Sequence, residues 1–211
     1  MLPRAYSQAT GMISFSWTAL SEHIFEIRIK TPVTRVGTLY RLTAAIYVLG
    51  LDIVSGTVDT AHEHGEEYAD DTFLLRPSSD GETSFAYYSA RVGVLMETLI
   101  RNEKDPDDLL RERNINPPDI RFLFEALPEI TFRDIPDRKV TEFNITSQNR
   151  TGLLFHITRI FAEEGISILR GTIKSEEDTA KDRFFLQQQG ECISEESKSR
   201  LSAKITGQPA S

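Results

Sequence analysis

The densest cluster of side chains able to do chemistry is HEHGEEYADD at residues 62–71, which brings together His62, His64, Glu66, Glu67, Asp70 and Asp71. A His-x-His pair on a strand turns both imidazoles to one side, and with a carboxylate such a pair can ligate a divalent ion. No distant segment supplies a further anchor, and the run stands between two apolar segments. A solvated hairpin connection is the simpler reading, and no metal is expected. His156 lies between the apolar positions Leu154 and Ile157 with no nucleophile beside it by motif. It reads as a polar-face or edge histidine rather than a general base. Cys192 is the only cysteine, which excludes an internal disulfide framework, and neither common glycine-rich phosphate loop is present. No catalytic residue and no cofactor are assigned, and the chain is not expected to be an enzyme.

The elements that would position any site are set by a repeat. GLDIVSGTVDT at residues 50–60 returns as GISILRGTIKS at 165–175, with an offset of 115 positions. Upstream of both copies the order is the same. Alternating segments come first, Ile13/Phe15/Trp17 and Phe25/Ile27/Ile29 against Ile130/Phe132 and Phe143/Ile145. Their period of two predicts strands. A polar loop ending in Gly37 or Gly152 leads into apolar residues at helical spacing: Leu39, Leu42, Ala45/Ile46 and Leu49, or Leu153/Leu154, Ile157, Ile160 and Phe161. Gly50 or Gly165 suits the left-handed C-cap, and a strand follows. Each copy then has a charged connection, AHEHGEEYAD or EEDTAK, a second strand and a helix. The last helix rests on Tyr88, Val92, Leu95/Met96 and Leu99 in one copy and on Ile193, Leu201 and Ile205, with Ser194 as N-cap, in the other. Between the copies, residues 102–128 carry four prolines and the apolar clusters Leu109/Leu110 and Ile120/Phe122/Phe124, expected to pack onto a neighbouring element.

Composition narrows the function. With 39% hydrophobic and 27% charged residues the chain is ordinary globular material. Its net charge of −8 would repel a phosphate backbone, so no nucleic-acid partner is expected. The longest apolar runs are too short to span a membrane, and the first residues lack the apolar core of a signal peptide, which leads to an expected cytoplasmic location and no membrane partner. The acidic runs read as solvated loop and linker surface.

The run VTEFNITSQNRTGLLFHITRIFAEEGISILRGTIKSEEDTAKDRFFLQ resembles an ACT domain, the small ferredoxin-like βαββαβ regulatory module that binds amino acids in many metabolic enzymes. With its preceding strand EITFRD it is similar to the paired C-terminal ACT domains of bacterial protein uridylyltransferase. Nothing here resembles that enzyme's catalytic parts. The resemblance implies an α+β chain of two ferredoxin-like ACT-type domains in tandem, with antiparallel sheets and helices on one face. Residues 12–101 would be a degenerate copy, 102–128 a linker with short helices, and 129–207 an ACT domain. It also implies that the family's ligand turn falls at Asn149, Arg150, Thr151, Gly152, Leu153 and Leu154. There, amides at a helix N-terminus would hold a carboxylate, and Asn149 or Ser147 would accept from an ammonium group. The matching turn from Thr34 to Leu39 has lost most of the signature and is expected to be structural. The implied function is a regulatory sensor for a small ligand, an amino acid, acting through a homodimer or a protein effector. The alternative on the same fold is an interaction or oligomerisation adaptor without a ligand.

Overall fold

The computed structural model describes residues 5–10, 13–32, 35–63, 65–78, 85–117, 119–120 and 123–208. Thr34, His64 and Phe122 lie outside them. A first series of elements runs β1 (Ala5–Thr10), β2 (Ile13–Ala19), β3 (Phe25–Thr31), α1 (Thr38–Val48), β4 (Leu51–Glu63), β5 (Glu66–Pro77) and α2 (Phe85–Ile100). The short α3 (Pro106–Glu112) leads to β6 (Glu129–Ile135), β7 (Val140–Gln148), α4 (Leu153–Glu163), β8 (Ile166–Glu176), β9 (Thr179–Gln188) and α5 (Glu195–Thr206). The expected order of strand, strand, helix, strand, strand, helix therefore occurs twice. β1 was not anticipated; it pairs with β2 at the edge of the sheet.

The nine strands among the described residues form one antiparallel sheet in the order β1-β2-β3-β5-β4-β8-β9-β7-β6. Each series has the strand arrangement of a ferredoxin-like βαββαβ unit, but the outer strand, β2 or β6, comes first in the chain instead of last. The period-two residues face the helices: Phe15, Trp17, Ile27 and Ile29 in one half, and Phe143, Ile145, Phe184 and Leu186 in the other, are buried. Phe161 of α4 meets Phe143 and Phe184 edge-on, with centroids 5.3 and 5.7 Å away. On α2, Gly93 leaves room for the Phe15 ring, since a Cβ there would lie 2.0 Å from it.

The two halves are joined by β4 and β8, which pair from Ser55–Lys174 to Asp59–Arg170. Thr57 faces Thr172 at the centre of this ladder, and these two residues are separated by the repeat offset. Above the ladder α1 packs on α4. There the Thr43 and Thr158 hydroxyls, also one repeat apart, share a buried hydrogen bond of 2.9 Å. The Tyr40 and Phe155 rings, again one repeat apart, lie 5.5 Å from each other. A pseudo-twofold axis thus passes through three pairs of equivalent residues. Backbone detail follows it: Gly37 and Gly152 both have φ 84°, Gly50 and Gly165 both have φ 67°. Each inner strand also carries a bulge at the same place, between Ile53 and Ser55 or between Ile168 and Arg170.

One expectation is corrected. The polar stretch 61–70 is not a loop: β4 runs to Glu63, β5 starts at Glu66, and His62 pairs with Glu67. Residues 61–62 and 65–68, at the two-stranded outer end, are half-buried or exposed and show no apolar alternation, whereas Ala69 is already buried. The linker clusters pack as expected. Leu109 and Leu110 of α3 are buried, Asp105 caps that helix by accepting from the Asp107 amide at 2.9 Å, and Ile120 is buried with Phe124 partly so.

Replacing Gly93 by alanine should place a methyl group inside the Phe15 ring's space. The helix-propensity gain of about 1 kcal/mol is outweighed by overpacking of about 1–3 kcal/mol. Urea denaturation should therefore show a net loss of stability.

Candidate ligand-binding site

The site grows from the chain's exit from β7. The Asn149 amide donates to the Asp178 carbonyl at 2.7 Å, tying the turn to the β8–β9 connection. The Leu153 amide then donates to the Arg150 carbonyl at 3.0 Å, and helical bonding starts with His156 to Gly152 at 3.0 Å. Gly152 makes the sharp entry in the left-handed region and has no side chain with which to cap the helix. The amides of Leu154 and Phe155 consequently meet no acceptor among the described residues. Two free N–H groups at the positive end of a helix are ready to bind an anion.

Leu154 and Phe155 line a cavity at the junction of the two repeats. Its walls are Asn149, Arg150, Gly152, Leu153 and Leu154 from the turn, and Ile46, Tyr47, Asp52 and Ile53 from the other repeat; Ser175 and Asp182 also line it. Five of the seven expected ligand residues are therefore together. Ser147 and Thr151 are not: the Ser147 hydroxyl is buried and donates to the Gln148 carbonyl at 3.3 Å, and Thr151 is exposed. Arg150 pairs with Glu125, which also receives the Gln148 side-chain amide at 3.3 Å.

The enclosed space is about 30 Å³, enough for about two water molecules and for no amino acid. Tyr47 is the reason. Its ring stacks on Phe155, centroids 4.9 Å apart and planes at 10°, and a Cβ added to Gly152 would come within 2.6 Å of it. The ring lies directly over the turn glycine. The same contact makes Gly152 intolerant of a side chain for reasons unrelated to ligand.

Asp182 was not anticipated. It is 3% exposed and accepts one bond, 3.3 Å, from the Lys174 amide. Burial pushes its carboxyl up to about 7. Its equivalent, Asp71, was read as solvated loop and is in fact 2% exposed, accepting 3.3 Å from the Asp59 amide. It too is raised to about 7, by burial first and then by the charges of Asp70 and Asp59. The signal was in the strand parity: Asp71, Phe73 and Leu75, like Asp182, Phe184 and Leu186, alternate inward. Asp52 is a third carboxylate. Its Oδ1 is buried with no donor among the described residues, while its Oδ2 lies 3.8 Å from Arg76 Nε.

His156 is also corrected. It is buried, and burial followed by the nearby Arg159 holds it neutral, down to about 4. Wedged beside Phe155 and Tyr47, it serves as packing. Around 62–71, exposed His62 is 4.0 Å from Glu67, and Asp70 is gripped by Arg28 at 2.8 and 2.5 Å. No three potential metal ligands converge among the described residues.

The first repeat has a matching cavity of about 30 Å³, lined by Gly37, Leu39 and Asp71 and by Ala162 from the second repeat. Ala162 stands where the symmetry would put Tyr47's counterpart, so no ring covers this turn. The Arg41 guanidinium covers it instead, donating to the Gly37 carbonyl at 3.2 Å.

Fold and cavities define a class: two fused ferredoxin-like units whose junction holds a pair of small polar cavities at helix N-termini. Residues 141–188 match the ACT domain family. The chain is similar to the bifunctional uridylyltransferase/uridylyl-removing enzymes of Ectopseudomonas mendocina (strain ymp) and Pseudomonas entomophila (strain L48). It is 28% identical to each over 145 residues, which is 68% of this chain and 15% of the enzyme. The chain thus spans about 15% of the length of these relatives. It also aligns with aspartate kinase from Synechocystis at a TM-score of 0.46 and 13% identity, over 88% of this chain and 26% of that one. ACT domains are regulatory modules that bind amino acids. No helix among the described residues is long and apolar enough to cross a membrane.

The raised carboxyls fix a pH dependence. Between the ordinary carboxyl value of 3.8 and about 7, the folded protein holds protons at Asp71 and Asp182 that the unfolded chain has released, so stability falls as pH rises through that window. A variant with both aspartates changed to asparagine should lose this slope. It should be more stable than the wild type at pH 8, by on the order of a few kcal/mol, in denaturant titrations.

Proposed function

We propose that the chain is a regulatory sensor that binds a free amino acid in the cavity under Tyr47, with residues 12–101 and 129–207 acting as two ACT-type domains joined by 102–128. The observation that carries this reading is the pairing of opposite polarities in one composite cavity. The free amides of Leu154 and Phe155 suit an α-carboxylate, and the buried Asp182 carboxylate suits an α-ammonium group. Asn149 lines the same cavity and offers a further acceptor. Entry requires the Tyr47 ring to leave Phe155, which couples occupancy to the packing of α1 on α4. A ligand shifts that packing only as far as its affinities for the closed and opened forms differ. The first-repeat cavity, covered by Arg41, takes a structural part in this reading. Control of an enzyme, on this chain or a separate one, is the regulatory output we propose.

Thermal unfolding at pH 8 against the twenty amino acids tests this. One or a few should raise the midpoint, by an amount equivalent to about 2.7 kcal/mol at a hundredfold excess over the dissociation constant. Asp182→Asn, nearly isosteric, should fold and lose the shift, whereas Tyr47→Ala should bind more tightly because no ring has to move. Binding should also strengthen from pH 6 to pH 8, because below about 7 the ammonium group must expel a proton from Asp182. Absence of any shift in both the wild type and Tyr47→Ala would overturn the reading.

A further inference from the structure

We propose a second binding site, on the face of the sheet turned away from the helices, for a 5′-mononucleotide whose base carries an exocyclic amino group. It is separate from the cavity under Tyr47 and does not depend on the reading of that cavity.

The site is a groove of about 340 Å³ between the outer end of the β4–β5 ribbon and the strands β8, β9 and β7. Small-molecule sites run from about 300 to 1,000 Å³, and the lower end of that range suits one nucleotide rather than a dinucleotide. The floor follows from the register. Asp59 stands opposite Arg170, and Arg170 opposite Phe185, so three neighbouring strands contribute one residue each to a row. Phe184, the next residue of β9, is buried under the helices, so this row points the other way. Phe185 is only partly buried there, and Leu169, at the β8 bulge, and Val140 add apolar lining. An aromatic ring left partly open on a sheet is a platform on which a base stacks. The other repeat has Leu74 opposite Ser55 at these positions, so the ring and its neighbouring guanidinium belong to this half alone.

The charges specify the rest of the ligand. The cations around the groove are mostly engaged. Arg170 holds Asp59 through bonds of 3.2 and 3.3 Å, Lys139 meets Glu191 at 2.6 Å, and Arg133 and Arg183 share Glu142. Arg138, which lines the groove, has no hydrogen-bond or ion-pair partner among the described residues. Its turn, Pro136–Arg138, leads into β7 and is tied down where the Gln187 side-chain amide donates to the Lys139 carbonyl at 2.9 Å. A spare guanidinium on a fixed backbone suits a phosphate. On the ribbon side, Glu67 is exposed and has only His62 near it, at 4.0 Å. A carboxylate accepts from an exocyclic amine. The strand order thus sets out an acceptor, an aromatic platform and a cation in sequence, which match the edge of a base, its face and the phosphate. A polymer is not the occupant, because a net charge of −8 repels a long phosphate backbone.

Isothermal calorimetry with adenosine, cytidine and uridine 5′-monophosphates, adenosine and inorganic phosphate tests this, together with amide shift mapping by NMR. Adenosine or cytidine monophosphate should saturate the protein, with shifts at residues 138–140, 169–170 and 185 and none at 149–155. Phe185→Leu, which installs the residue of the other repeat, should weaken that nucleotide by about tenfold and leave inorganic phosphate unchanged. Arg138→Gln should bring adenosine monophosphate down to the affinity of adenosine, and Glu67→Ala should erase a preference for cytidine over uridine monophosphate. All three side chains are partly or fully exposed, so the variants should fold, as their thermal transitions will show. No saturable binding by any of the three nucleotides, affinities unchanged in Phe185→Leu and Arg138→Gln, or shifts confined to 149–155 would overturn the site. Equal binding of cytidine and uridine monophosphates would overturn the amino-group requirement. Self-association in sedimentation that Phe185→Leu abolishes, without nucleotide binding, would also overturn the site and make this face a contact between copies of the chain.

Discussion

The backbone ladder between β4 and β8 is the constraint on which the rest depends. It turns two four-stranded units and an added outer strand into one sheet, and it removes the two inner strand edges that would otherwise stay open for pairing. By fixing the strands it also fixes α1 against α4, because each helix is anchored to its own strands by a shared apolar layer. Neither cavity exists without that contact. The Gly152 turn gets one wall from its own repeat and the other from Ile46, Tyr47, Asp52 and Ile53. A shift in the ladder would therefore move the two walls apart.

At the site, the sequence departs from what stability alone would select. Two carboxylates sit at inward strand positions that apolar residues occupy on either side, and each has a single backbone donor. Natural chains accept such local conflicts mainly where function requires them. The surrounding aromatic layer of Phe143, Phe161, Phe184 and Trp17 is extensive enough to hold the fold despite them. The buried hydroxyl pair of Thr43 and Thr158 behaves differently. One hydroxyl donates to the other, whose own proton goes to the carbonyl one turn back in its helix, so the polar contact on the axis is satisfied.

Much of the architecture could be read from the residues. The offset repeat gave the element order, since glycines at 37, 50, 152 and 165 punctuate both copies and the period changes from two to 3.6 between them. Inward residues such as Phe25, Ile27 and Ile29 were legible for the same reason. The outer end of the ribbon, residues 61–68, was not, because strands solvated on both faces carry no alternation. Asp71 and Asp182 were hidden by their polarity, though their parity matched that of buried neighbours. Tyr47 and Asp52 were beyond reach for a different cause: they face the turn across the β4–β8 junction, and which edges of two repeats will meet is a property of their pairing. His156 looked peripheral because its own helix was considered without the second helix lying over it.

The pseudo-twofold axis also changes how the protein can vary. In a symmetric dimer of identical chains every substitution is met twice, once on each side of the axis, so a residue useful in one cavity must be tolerable in the other. Fusion of the halves removes that coupling. Tyr47 opposite Ala162, Arg41 opposite His156, and Asp52 opposite Ser167 each differ across the axis. The backbone keeps its duplicate geometry, down to equal dihedral angles at the turn glycines, while the side chains of the two cavities have diverged. One half can act as a fixed template against which the other is free to specialise.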